Sequence, residues 1–270
     1  MLPPSEKDRF VKRVRQSPHP AFVTGRWRPF VIAAAAIVLT AAIIRHHTPA
    51  EPPPDFAAIE DTNERKAAFI AHLLPRVRAV NDELRPARDR LHRIDETLAA
   101  GRAVGSREHD FVRAEAARHG IAPVETIDRA LLARLLARVD TIPPSLVIAQ
   151  AAIESGWGTS RFAREGNAFF GLRCHTPGCG MVPARRQPGA TFEVAAYPDV
   201  RAAIRAYVHN LNSDPRYRSL RRLRAEQRAA GRAPSGELLA AGLVRYSEQG
   251  SDYIDLVRSV IRANDLARLD

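Results

Sequence analysis

The chain has 270 residues, enough for one good-sized domain with accessory segments or for two small domains. Hydrophobic residues at 45% and charged residues at 26% describe a folded chain and exclude a disordered one. The formal net charge is +11, carried by arginine with lysine only at positions 7, 12 and 66. Such a charge draws a protein to polyanions without choosing among nucleic acid, anionic lipid and acidic wall polymer, and it reads equally as an arginine coding bias. No basic run interleaved with aromatics and no zinc-finger or RNA-binding signature occurs, so nucleic acid is not an expected partner.

In chain order, residues 1–28 form a basic tail, with Lys7, Arg9, Lys12, Arg13, Arg15, Arg26 and Arg28 against Glu6 and Asp8. Phe30 to Ile44 then carries no charge and is bracketed by Arg28 and Arg45. As a helix this run reaches about 22 Å, somewhat short of a ~30 Å hydrocarbon core, and Trp27 and the snorkelling arginines extend it. Residues 29–45 are therefore expected to be a membrane segment, with the basic tail cytoplasmic and everything after Arg45 exported. The expected location is the inner membrane, single-pass, with the bulk of the chain in the periplasm. Export after signal cleavage is the alternative, against which stand the long preceding region and the poor cleavage site Thr48-Pro49-Ala50. Residues 46–56, proline-rich and polar, read as a stiff linker.

Residues 57–140 read as a helical accessory region. Phe69, Leu73 and Leu74, then Val77, Val80 and Leu84, recur at helical spacing, with Pro75 expected to kink the stretch. Leu91, Ile94 and Leu98 form a further stripe before Gly101. Ser106 suits the cap of a helix ending near His119-Gly120, and Thr126 to Val139 is again amphipathic. Residues 141–265 read as the catalytic domain. It opens on Ile142-Pro143-Pro144-Ser145, prolines being tolerated in a first turn, and Leu146 to Ile153 is apolar almost all round apart from Gln150. Glu154 follows four residues after Gln150 on the same face, and Gly156 and Gly158 stop the helix. From about 170 to 198 the pattern is extended, with turns at Pro177-Gly178 and Pro188-Gly189. Helices resume at Val200 to Leu211 and at about 216–230, 235–243 and 251–263. The expected class is mainly α (α+β), with one small sheet region.

The two cysteines, Cys174 and Cys179, flank a Pro-Gly turn that brings them together. In an oxidising compartment a disulfide is the natural reading, and a free pair in a loop too strained to close is the alternative. With His175 they supply at most three ligands, two of them adjacent, so no metal is expected, and no cofactor either.

A carboxylate at the end of an apolar helix is costly. Desolvation and the negative end of the helix dipole both favour the neutral acid, which is what a general acid needs near neutral pH. An ion pair of Glu154 with Arg161 or Arg164 is the plainer possibility. The surrounding residues bear on the choice. Ala149 to Gly158 (AQAAIESGWG), then Ser160 to Ala163 and Asn167-Ala168-Phe169-Phe170-Gly171, resemble the glucosaminidase family of peptidoglycan hydrolases, which includes flagellar rod-cap hydrolases and autolysins. Cys174 through Cys179-Gly180, Val182-Pro183, Arg185-Arg186 and Gly189 to Ala195 are most similar to its Bax-like branch.

The resemblance implies a lysozyme-like fold, a helical lobe facing a small β-lobe, here preceded by packing helices. It also implies hydrolysis of the β-1,4 bond between N-acetylglucosamine and N-acetylmuramic acid, with peptidoglycan glycan strands as the partner; oligomeric state is not indicated. Glu154 matches the family's catalytic acid. Glu193 is the candidate second carboxylate: if Phe192 and Val194 pack inward it faces the cleft, and otherwise it is an exposed strand residue. Tyr253 matches a site tyrosine, with Tyr246 as competitor, and either is alternatively a core aromatic. Trp157 reads as packing beneath the cleft ahead of stacking on sugar, Asn167 as a polar support of the loop after the acid, and Gln150 as a substrate-side residue. Two other readings stand beside this one. A lytic transglycosylase normally carries Gly-Leu-Met-Gln where this chain has Phe170-Gly171-Leu172-Arg173. An inactive, membrane-tethered peptidoglycan-binding protein would have no use for a buried acid.

Overall fold

The structure, a computed structural model, describes residues 53–123, 125–184, 186 and 189–270. The basic tail, the expected membrane segment, most of the linker, Arg185 and the Pro188 turn lie outside the described residues. Within them no helix is long and apolar enough to cross a membrane.

The fold is mostly helical with one small sheet. Helix α1 spans Thr62–Ala99, capped by Asp61, whose side chain accepts from the amides of Asn63 and Glu64. It runs through both Pro75 and Pro86 as one element. A proline inside a helix costs about 3 kcal/mol; here buried side chains on both sides of each proline offset that cost. Phe69, Leu73, Val77 and Val80 enter the main core, and Leu91 and Ile94 enter a second one. Helices α2 (Ser106–Arg118) and α3 (Arg129–Leu136) complete that second core with Val112, Leu131, Leu132 and Leu135. Gly105, not Ser106, is the cap position of α2, and no side chain caps it.

Helix α4 (Pro144–Ser155) is buried from Ser145 to Ala152, as its apolar sequence requires. A helix buried on all sides must have its terminal amides satisfied from within the protein. The Asp270 carboxylate accepts from the Ser145 amide at 2.9 Å and from its hydroxyl at 2.8 Å. Asn81 of α1 exchanges two hydrogen bonds with the Ile142 backbone, 2.9 and 3.1 Å, which fixes the approach to α4. At the other end Gly156 takes a left-handed conformation, φ 59°, and its amide closes back on Ala152. Helix α5 (Arg161–Gly166) follows. Strands β1 (Arg173–Cys174), β2 (Gly180–Met181) and β3 (Glu193–Ala195) pair antiparallel in the order β1-β3-β2, with Cys174 opposite Glu193 and Gly180 opposite Ala195. Helices α6 (Val200–Ser213), α7 (Arg218–Ala229), the short α8 (Gly236–Leu239) and α9 (Ser251–Ala263) close the core.

Packing divides the chain differently from composition. The first half of α1 shares one core with α4, α6 and α9, so the packing core begins well before residue 141. Phe56, the last residue of the proline-rich stretch, is 1% exposed. Its ring lies edge-on to Phe69 at 5.4 Å and fills the space beside Gly158, where a side chain would collide with it. Truncating that ring should cost what a core aromatic costs: Phe56→Ala is expected to lower unfolding free energy by about 3–5 kcal/mol. A denaturant titration checks this, and a wild-type midpoint would mean that residue 56 is free spacer.

Candidate active site

Glu154 occupies the last turn of α4, and its half-buried side chain points into a wall of tyrosines. The Tyr253 hydroxyl, from the first turn of α9, donates to Glu154 Oε1 at 2.7 Å. Gln150, one turn earlier on α4 and fully buried, donates its amide to the Tyr253 oxygen at 3.0 Å. The Gln150 carbonyl oxygen in turn accepts from the hydroxyl of Tyr207, on the inner face of α6. Tyr246 stacks flat against Tyr253, centroids 5.3 Å apart, and its hydroxyl donates to the Phe170 carbonyl at 3.0 Å. Phe170 stacks on Tyr207 at 4.1 Å. The other carboxyl oxygen, Oε2, lies beside Gly171, where an added Cβ would stand 3.5 Å from it.

The electrostatics follow from this packing. Burial raises the Glu154 carboxyl above the usual carboxylate range, and the hydrogen bond from Tyr253 offsets part of that rise. Burial likewise pushes the hydroxyls of Tyr207, Tyr246 and Tyr253 up, so all three stay neutral and can donate. Arg161 and Arg164, the cations considered as partners for Glu154, pair instead with Glu165 and Asp55.

Of the residues expected at a site, Glu154, Gln150, Tyr253 and Tyr246 come together. Trp157, at φ 56°, turns the other way: its ring meets Phe69 edge-on at 5.5 Å, with Lys66 over it at 5.3 Å. Asn167, also left-handed at φ 49°, ends α5 and donates to the Tyr197 carbonyl at 3.0 Å, bracing the chain beyond β3. Tyr207 was not anticipated. It sits in the stripe Val200, Ala203, Ile204, Tyr207, Val208, Leu211, where a tyrosine reads as one more core aromatic.

Glu193 has a different environment. The strand alternates as expected with its faces exchanged: Glu193 is 9% exposed, while Phe192 and Val194 are only half-buried. Its two oxygens accept from the amides of Gly178, 3.0 Å, and Gly180, 2.8 Å. Those two N–H donors hold its carboxyl below the usual range. Cys174 and Cys179 are joined as a disulfide across the same turn. Their sulfurs and the Glu193 carboxylate lie within 4.8 Å of one another, but sulfurs bonded to each other are not thiolate ligands for a metal.

The chain has three likenesses to known proteins. The glucosaminidase family, described as mannosyl-glycoprotein endo-beta-N-acetylglucosaminidase, matches residues 130–266, just over half of the chain. Protein bax of Escherichia coli K12 is 37% identical over 130 residues, covering 48% of this chain and 46% of that protein. This chain thus spans about half the length of that relative. The crystal structure of the catalytic domain of the autolysin Auto from Listeria monocytogenes aligns at TM-score 0.37 and 19% identity, over 66% of this chain and 96% of that one.

The turn between β1 and β2, which Glu193 braces from β3, gives a test of its own. In Glu193→Gln only one of the two acceptor oxygens remains, so amide exchange at Gly178 or Gly180 should accelerate at neutral pH. Because the folded carboxyl titrates low, its hold on the turn is present above the ordinary carboxylate pKa and is lost as pH falls through the depressed value. Unchanged protection at both glycines would remove this role.

Proposed function

This chain belongs to the glucosaminidase family, in its Bax-like branch, and from that premise we propose that it hydrolyses the glycan strands of peptidoglycan. The reaction is cleavage of the β-1,4 bond between N-acetylglucosamine and N-acetylmuramic acid, in a lysozyme-like arrangement of helical lobe and small β-lobe. One observation carries the reading: a carboxyl group at the end of a buried helix, short of water and held by a neutral tyrosine, matches what a general acid requires. Glu154 gives its proton to the glycosidic oxygen as the bond to C1 breaks. Water delivers hydroxide to C1, and its remaining proton restores the acid. Tyr253, Tyr246 and Gln150 frame the acid, while Trp157 and Asn167 support the loop that follows it. Glu193 we assign to holding the turn between β1 and β2, because a carboxylate stabilised by two amide donors is a poor base for water. Residues 29–45 we read as the membrane anchor, 46–55 as the linker ahead of the docked Phe56 and the remainder as periplasmic; within it residues 57–140 are the accessory region, whose long helix packs into the core of the 141–265 catalytic domain.

Glu154→Gln is expected to abolish clearing of peptidoglycan in a gel while keeping the thermal transition; clearing at the wild-type level would reject the assignment. The released ends identify the chemistry. Reducing N-acetylglucosamine is expected, and a 1,6-anhydromuramic end would mark a lytic transglycosylase in its place. The working acid must be protonated and its pKa is raised. Activity should therefore persist above the ordinary carboxylate range and fall as pH rises through the Glu154 value, in a pH profile of kcat/KM.

A further inference from the structure

The hydrogen bonds behind Glu154 have a fixed direction. Tyr207 is completely buried, and among the described residues its hydroxyl proton has one acceptor, the Gln150 carbonyl oxygen. That contact decides which way round the Gln150 amide sits, because turning the amide over would leave the Tyr207 proton buried and unpartnered. With the amide so placed, its NH2 group faces Tyr253 and can only donate. The Tyr253 oxygen is therefore an acceptor from Gln150, and its own proton goes to Glu154 Oε1. Of the two oxygens of a protonated carboxyl group, the carbonyl oxygen is the stronger acceptor. The oxygen that takes the Tyr253 hydrogen bond is therefore favoured as the carbonyl, which leaves the acid proton to Oε2.

We propose that Tyr207 is a positioning residue which, through Gln150 and Tyr253, confines the dissociable proton of Glu154 to Oε2. This rests on reading Glu154 as the acid. Oε2 is the oxygen beside Gly171, a position at φ 61° that bears no side chain, so the proton is presented on the face the backbone leaves open. Tyr207 has no hydrogen bond to Glu154 and acts at a distance of two intervening side chains. Its hydroxyl sets the amide, the amide sets the phenol, and the phenol sets the carboxyl.

The test is Tyr207→Phe in the full-length chain, beside Tyr253→Phe and Glu154→Gln, with glutamate labelled by 13C at the carboxyl carbon. Losing the Tyr207 hydroxyl frees the amide to turn, so that Tyr253 donates to Gln150 and accepts from the protonated acid. The Glu154 titration, assigned by its absence in Glu154→Gln, should then move upward in Tyr207→Phe, in the same direction as in Tyr253→Phe. The basic limb of the activity profile should follow it, with kcat down about tenfold and KM within about twofold. A role limited to packing would lower the thermal transition and leave the titration alone. A midpoint in Tyr207→Phe that overlays wild type would overturn the proposal, whether or not Tyr253→Phe moves it. The titration needs no turnover: if Glu154→Gln still clears peptidoglycan, the catalytic reading fails while the direction of the relay is still read from the spectrum.

Discussion

Raising the pKa of a carboxyl group means keeping water away from it, and the burial of α4 does this for Glu154. Glu154 is desolvated because α4 is buried along most of its length, and burial on that scale creates obligations at both helix ends. They are met from far along the chain. Asp270 caps the first turn, Asn81 clamps the approach through Ile142, and Gly156 closes the last turn in a conformation that costs other residues about 1–2 kcal/mol. The tyrosine wall adds to that burial, and Tyr253 supplies a neutral donor in place of water. Remove the burial of α4 and neither the raised pKa nor the ordered hydrogen bonds behind Glu154 survive.

The arginine surplus has a similar internal explanation. Asp140, 2% exposed, sits just before α4 and faces Arg88 at 3.2 Å, Arg224 at 3.4 Å and Arg228 at 2.6 Å. These three come from α1 and α7, so one buried carboxylate draws together the long helix, the second core and the main core. Arg224 is itself only 1% exposed, and desolvation pulls its pKa down to about 10. It is kept charged by Asp140 and by carbonyls of Ala137, Asp140 and Thr141. Arg221 is buried against the carbonyls of Leu211 and Asp214. Formal charge therefore overstates what the surface presents to a polyanion, since part of it is spent inside the fold.

What was legible in the sequence depended on how local the signal was. Gln150 and Glu154 are one turn apart, so helical spacing alone put them on one face, and the glycines after them marked the helix end. Tyr253 needed the family resemblance, being 99 residues from its partner. Tyr207 escaped because an amphipathic stripe says which face is buried and not which buried hydroxyl has chemistry to do. Alternation in β3 gave two faces without saying which was inner, and the amides of Gly178 and Gly180 decided it for Glu193. Phe56 was hidden by its neighbours: prolines signalled a spacer, while a single aromatic at its end was enough to dock the segment under the Ser155–Gly158 turn.

The contrast between the two carboxylates supports the proposed proton donor without any need for their separation. Both are shielded from bulk water, yet they receive opposite compensation. Glu154 meets apolar surroundings and a single phenolic donor, so its neutral form is favoured. Glu193 meets two backbone amides, which cannot turn away or lose their protons, so its anion is favoured. Environments that drive two like groups apart in this way sort them into roles. A carboxyl whose anion is stabilised is the poorer proton donor of the two, and one whose neutral form is favoured is the better. On the proposed reading the proton donor lies on α4, while Glu193 on β3 braces the turn between β1 and β2.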